Sequence, residues 1–296
     1  VAQGNPGFDI RDRDARIVRW ARGPMARLAV MGTISVIIPS LNDADFLAAC
    51  LDALAQQTRP ADEVIVVDNG STDATAEFAQ AAGARVVDQP LRGIWPATAA
   101  GLDAASGDLL ARLDADSVPA PDWLAQVERR MSQRDRPTVV TGSGVFYGGT
   151  APRRWIARHI YIGGYFYWIG ILLGHPPIFG SNYAIRADAW LALREIVHRD
   201  RADLHDDLDL AWWMQPGMSV VYDRALIVGV SARPLASVSE LARRVRMAFH
   251  TLGVEWRAWP PFERRAVRRI GDDLLSPAIL AEAAEADGDG EEPLPV

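Results

Sequence analysis

Asp114 and Asp116 stand one residue apart, directly after the apolar run at 109–113 and before Ser117-Val118-Pro119. Two carboxylates at such a chain reversal suit a hard divalent cation. Proteins commonly hold Mn²⁺ or Mg²⁺ through one or two carboxylates, and substrate phosphates fill the rest of the shell. A cation there would neutralise charge building on a departing diphosphate. A lone Asp-x-Asp triplet also suits a plain turn, so its placement has to decide. A second acidic group, His205-Asp206-Asp207-Leu208-Asp209, crowds three carboxylates together. Crowding shifts proton affinities and can separate roles; the same residues also suit the N-terminus of a helix.

The elements that must position these groups follow from periodicity. Short apolar runs rich in β-branched residues at 34–39 (ISVIIP), 63–67 (EVIVV), 85–88 and 109–113 read as buried strands. Between them, helical spacing of apolar residues predicts helices over 43–57, 72–82 and 95–105. Ser71 or Thr72 is the expected N-cap of the second, and Gly107 closes the third. Strands alternating with helices of this length form a parallel α/β sheet with right-handed crossovers. In such sheets ligands bind beyond the carboxyl ends of the strands. Three of the four strand ends carry Asp, Asn or Ser there, so the acidic pair at 114 and 116 would not stand alone. Strands are also expected at 139–146, 182–186 and 218–222, in a smaller mixed acceptor-side region. Residues 155–174 are apolar and aromatic but shorter than a membrane span. They suit a core helix, an acceptor-groove wall or a helix resting on a membrane surface.

The organisation expected is an extension at 1–32 outside the core, one large domain at 33–235, a helical region at 236–275 and a disordered acidic tail at 276–296. The first 30 residues lack the apolar stretch of a secretory signal. All 31 basic residues are arginine, and the net charge of −7 argues against a nucleic-acid partner. The single cysteine, Cys50, excludes an internal disulfide and suits a reducing compartment. The localisation expected is cytoplasmic, with the inner face of the membrane as a second possibility.

Pro39-Ser40-Leu41-Asn42, Asp68-Asn69-Gly70-Ser71-Thr72-Asp73 and the Asp114/Asp116 pair, each after its strand and in this order, resemble inverting family-2 glycosyltransferases of the GT-A fold. The resemblance runs from about Ile34 to Arg233. It implies an α/β GT-A domain that moves a sugar from a nucleoside diphosphate, UDP by default and GDP as the rival, to an acceptor hydroxyl. By that resemblance Pro39, Ser40, Asn42, Asp68 and Asn69 would hold the nucleoside, with Asp68 accepting from the base. Asp114 would face the ribose or sugar, and Asp116 would bind Mn²⁺ or Mg²⁺. Gly180 and Asn182, in Phe179-Gly180-Ser181-Asn182, match a Gly-x-Asn segment near donor sugar and acceptor. The matching acidic stretch places Asp206 on the family's Glu and Asp207 on the general base. A base is required because a hydroxyl is a poor nucleophile until its proton is taken.

Several departures mark this chain. His205 replaces the commoner residue at its place and could touch acceptor, metal or a supporting group. The helix after the third strand lacks the family's Gly-Lys start and its Asn, Ala99 standing there, so Arg92 could supply the cation near the diphosphate. A Gln-x-x-Arg-Trp signature and paired membrane helices are absent, which points to one sugar added per encounter. Arg233, after the last strand, could also approach the diphosphate. The aromatic segment and the arginines near 264–269 admit a lipid-linked or cell-envelope acceptor and peripheral membrane contact. Two alternatives stay open: a nucleotidyltransferase, although its phosphate loop does not match Ser40-Leu41-Asn42-Asp43, and an inactive relative that binds sugar nucleotide. A dinucleotide oxidoreductase is disfavoured, since no Gly-x-Gly-x-x-Gly follows the first strand.

Overall fold

The computed structural model describes residues 32–148, 150–156, 162–233 and 237–274. The first apolar run forms β1 (Ile34–Ser40), buried along its whole length. In α1 (Ala44–Ala55) the residues Leu47, Cys50, Leu51 and Leu54 recur at helical spacing and are buried, as a one-sided core helix requires. Next come β2 (Glu63–Asp68), α2 (Thr75–Ala81), β3 (Arg85–Asp88), α3 (Ile94–Ala104) and β4 (Leu109–Arg112). β1 pairs in parallel with β2 and β4, and β2 with β3. This is the alternating half expected from the sequence, and it brings the carboxyl ends of β1, β2 and β4 to one edge.

The remaining elements are β5 (Val118–Pro119), α4 (Trp123–Met131), β6 (Val139–Tyr147) and α5 (Ala151–Ile156). A π-helical turn at Tyr165–Ile169 leads into α6 (Gly170–Leu173). Then follow β7 (Tyr183–Arg186), α7 (Ala187–Leu193), α8 (Asp206–Trp212), β8 (Val220–Ser231), α9 (Val238–Ala258) and α10 (Pro261–Leu274). The eight strands form one mixed sheet in the order β3-β2-β1-β4-β7-β6-β8-β5. β7 runs antiparallel to both β4 and β6. Its place beside β4 sets the segment before it, Phe179 to Asn182, next to the acidic strand end.

Some local expectations change. Val118 and Pro119 form a short strand on Gly229 and Val228 of β8 instead of a turn. The last strand continues to Ser231, past a register slip opposite Thr141 and Ser143. α2 begins at Thr75, so neither Ser71 nor Thr72 caps it. α3 ends at Ala104, short of Gly107.

The sheet and helices through α9 belong to one compact unit, so α9 lies with the sheet although a boundary is expected at 235. Of the described residues, Gln215–Gly217 and α10 belong to a second unit, where Arg268 Nη1 donates to the Gln215 carbonyl at 3.0 Å. The expected tail, and the expected extension apart from Gly32, lie outside the described residues. So do 157–161 of the aromatic segment. In its described part Phe166 packs on Tyr222, with ring centroids 5.0 Å apart. Trp155, Tyr167, Trp168 and Ile171 are exposed. Among the described residues no helix is long and apolar enough to cross a membrane.

Candidate active site

The ends of β1 and β2 are tied together by side chains that the turn sequences supply. Asn42 sits in the left-handed region with φ 54°, a conformation its short polar side chain tolerates. Its N–H donates to Ser71 Oγ at 3.0 Å, and its Oδ1 accepts from Thr72 N at 2.8 Å. Asp73 Oδ2 accepts from Ala44 N at 3.3 Å, and its Oδ1 from Thr75 N at 3.1 Å. Asp68 Oδ1 accepts from Ser71 N at 2.9 Å. Asp68 and Asn42 therefore line one stitched loop surface. Arg92 reaches the same place, donating to the Gly70 carbonyl at 2.8 Å.

Beside that surface, Asp114 and Asp116 follow β4. Arg112, the last residue of the strand, is buried, and Arg is almost never fully buried unless paired. Its Nη1 lies 2.8 Å from Asp114 Oδ1 and its Nη2 3.2 Å from Asp206 Oδ2. Burial opposes its charge, but Asp114 and Asp206 outweigh that and hold the guanidinium protonated. Asp114 Oδ2 accepts from the Ser181 hydroxyl. Asp116 Oδ2 lies 2.9 Å from Arg233 Nη2, while Arg233 Nη1 lies 3.1 Å from Asp43 Oδ1. The same guanidinium stacks 3.7 Å above the Phe46 ring. Burial, then Asp114, pushes the Asp116 carboxyl up, and Arg233 pulls it back. Under this turn Cys50 Sγ, fully buried, donates to the Asp114 carbonyl at 3.8 Å. Burial, then Asp116 and Asp114, pushes the thiol far up.

α8 brings the second acidic group to the same place. Asp206 is buried and also accepts from Thr98 Oγ1 at 2.8 Å. Asp207 Oδ2 accepts from the Gly180 N–H at 2.9 Å. Gly180 is required by this approach, since a Cβ there would meet Arg112 Nη1 at 2.9 Å and Asp207 Oδ2 at 3.1 Å. Burial, then the Asp206 charge, pushes the Asp207 carboxyl up to about 6. One guanidinium thus joins the acidic pair after β4 to the acidic pair opening α8.

Other expected ligand contacts turn inward. Asn182 is fully buried, accepting from Trp123 Nε1 at 2.8 Å and donating to the Ser143 and Leu226 carbonyls at 3.0 and 2.9 Å. Asn69 is buried too, donating to the Gln89 and Leu91 carbonyls at 2.8 Å each and accepting from Gly93 N at 2.7 Å. Both amides are committed within the protein, and they position the Gly180 and 89–93 segments. Pro39 and Ser40 are buried in β1 rather than forming a turn. His205 Nε2 lies 3.1 Å from the Arg244 carbonyl of α9, so this nitrogen faces a helix backbone. Arg112 and Ser181 went unforeseen; the available signal was an arginine ending an otherwise apolar strand.

The chemistry of the donor set fits a divalent ion at Asp116. Its Oδ1 accepts no hydrogen bond among the described residues, Asp114 adds charge beside it, and Arg233 already answers a need for a cation.

Among solved structures, the chain is similar to the mannosyltransferase PcManGT of Pyrobaculum calidifontis, solved with GDP-Man and Mn²⁺. The TM-score is 0.61 at 20% identity, over 96% of this chain and 84% of that one. Glucosyl-3-phosphoglycerate synthase of Mycobacterium tuberculosis, solved with Mn²⁺, UDP and phosphoglyceric acid, gives a TM-score of 0.56 at 24% identity, over 85% and 84%. These likenesses bear on the fold. In sequence, the chain is 36% identical over 135 residues to glycosyltransferase AglE of Haloferax volcanii, covering 41% of this chain and 43% of that protein. It is 39% identical over 118 residues to a PGL/p-HBAD biosynthesis glycosyltransferase of Mycobacterium bovis, covering 36% and 45%. The matches span less than half the length of these curated relatives. The model of the family described as Glycosyl transferase family 2 matches residues 35–196, more than half of the chain, and stops short of α8. With the GT-A-like sheet and the acidic strand end already in place, this match means that the chain belongs to glycosyl transferase family 2.

Proposed function

We propose that the chain transfers one sugar, with inversion, from a nucleoside diphosphate sugar to an acceptor hydroxyl. Asp207 is the general base, and Asp116 holds Mn²⁺ or Mg²⁺. The observation that carries this reading is the Arg112 bridge between Asp114 and Asp206, with the adjacent Asp207 accepting from the Gly180 N–H. Asp207 takes the acceptor proton as the oxygen attacks the anomeric carbon from the face opposite the diphosphate, and the configuration inverts. A carboxyl near 6 is ionised at neutral pH yet basic enough to assist in the transition state. When bound, the divalent ion supplies positive charge for the leaving diphosphate. Arg233, now shared between Asp43 and Asp116, would add a second cation to it. Asp68 and Asn42 receive the nucleoside, Asp114 and Ser181 the ribose or sugar, and Arg92 flanks the phosphates. His205 and Asp206 support α8.

UDP-sugar is the donor we favour, and the GDP-Man bound to the mannosyltransferase makes GDP-sugar the alternative. The acceptor side suits a molecule with an apolar part, such as a lipid-linked or cell-envelope glycan. In support, a cavity of about 670 Å³ is lined by Phe166, Tyr167, Ile171 and Tyr222, with Trp168 exposed nearby in the chain. Contact with the inner face of a membrane would follow. The test is a melting panel of UDP, GDP and their sugars with and without Mn²⁺, because a ligand of the folded state raises its stability. A metal-dependent shift with one nucleotide supports the reading and names the donor class. No shift with any of them removes it.

A further inference from the structure

Asp209 takes no part in the site above. It is fully buried on α8, and its Oδ2 accepts from Trp95 Nε1 at 2.5 Å and from His198 N at 2.8 Å. Its Oδ1 lies 3.1 Å from His198 Nδ1. The same nitrogen lies 3.1 Å from Glu255 Oε1 of α9. Glu255 is fully buried, and beyond the His198 and Asp209 side chains its oxygens meet no donor among the described residues. One atom from each of the three residues lies within 4.8 Å of the others.

Two buried carboxylates that share one imidazole are costly, since a single imidazolium carries one charge against two. A divalent ion answers both charges at once. With metal–ligand bonds of about 2.0–2.2 Å, neighbouring ligand atoms lie about 2.8–3.6 Å apart, from octahedral to tetrahedral shells. Both nitrogen–oxygen separations at 3.1 Å already meet that spacing. The carboxylate–carboxylate edge lies within 4.8 Å as well. Asp209 is braced as metal ligands usually are: two N–H donors hold Oδ2 and leave Oδ1 aimed at the centre. The His198 side chain is 26% exposed, which gives an ion a way in. One nitrogen and two oxygens with a water at an open position suit an ion of the zinc class.

We propose that His198 Nδ1, Asp209 Oδ1 and Glu255 Oε1 form a second divalent-metal site, separate from Asp116, that fastens α9 to the helix carrying Asp206 and Asp207. The ion replaces the imidazole proton between the two carboxylates. The test uses Asp116→Asn, which removes the donor-side ligand, stripped with EDTA, dialysed and titrated with ZnCl₂ by calorimetry. One equivalent should bind, and zinc at a hundredfold excess over its dissociation constant should raise the melting temperature by about 5–10 °C. Adding Glu255→Gln should abolish the equivalent. No zinc bound to Asp116→Asn overturns the proposal, as does binding that Glu255→Gln leaves unchanged. A second readout leaves the three ligands of this site unchanged. Co²⁺ in Asp116→Asn should give visible absorption and a paramagnetically shifted His198 ring proton, both lost on adding Zn²⁺; absence of the shifted proton also overturns it. Zinc binding in Asp116→Asn is independent of donor binding, so the glycosyl-transfer reading can fail without this one.

Discussion

Replacing Asp207 with Asn should stabilise the ligand-free protein while stopping its chemistry. The carboxyl is pushed from its ordinary 3.8 up to about 6 by burial and by Asp206, so in the folded state its ionised form is disfavoured. Each pH unit between folded and unfolded values is worth about 1.4 kcal/mol, which makes the charge cost about 2–3 kcal/mol at neutral pH. Asparagine keeps the shape and an oxygen for the Gly180 N–H. The sign follows from the raised value. The stability that wild type draws from this group is complete below about pH 4 and is lost as pH rises through about 6. The advantage of Asp207→Asn should therefore be near zero at pH 4 and full above pH 7. At about 2–4 °C per kcal/mol for a protein of this size, the variant should melt roughly 4–12 °C higher at pH 7.5. Calorimetric melting of both proteins from pH 4 to 8 reads this out, alongside a transfer assay in which turnover falls about 10²–10⁴-fold. A variant that melts at or below wild type at pH 7.5, or a gap that does not change with pH, refutes the reasoning.

Arg112→Met leaves Asp206 buried without its ion partner and should cost about 3–5 kcal/mol, measured as a lower urea midpoint. Arg112→Lys should recover only part of that, because one ammonium cannot span two carboxylates as the guanidinium fork does. Gly180→Ala puts a methyl 2.9 Å from Arg112 Nη1 and should lower turnover at least tenfold, with a stability loss of about 1–3 kcal/mol. Arg233→Ala frees Asp116 of its resident cation. It should strengthen Mn²⁺ binding severalfold in calorimetry while raising KM for the donor.

The parts of the fold that were legible are those encoded within a few residues of one another. ISVIIP and EVIVV each carry their own burial signal, and β1 and β2 appear where those runs stand. Val118 and Pro119 became a strand only because the distant residues Val228 and Gly229 pair with them, which no local pattern carries. The site divides in the same way. Asp114, Asp116, Asp206 and Asp207 were visible as acidic clusters at element ends. What joins them, Arg112, pairs with groups far away in the chain, so its role emerges only in three dimensions. Asn69 and Asn182 show the opposite case. Their residue type suggested a hand for a ligand, yet burial turns each amide onto backbone carbonyls, since an unsatisfied buried amide would be expensive.

Cys50 beneath the Asp114 turn makes the molecule its own clock. It is the sole cysteine of the chain, and its sulfur is sealed against the Asp114 carbonyl. A thiol reagent can reach it only when α1 parts from the sheet, so the pace of labelling counts those partings one by one. Whatever settles on the acidic turn must slow that count, and the clock then times occupancy of the turn with no fluorophore, tag or engineered residue.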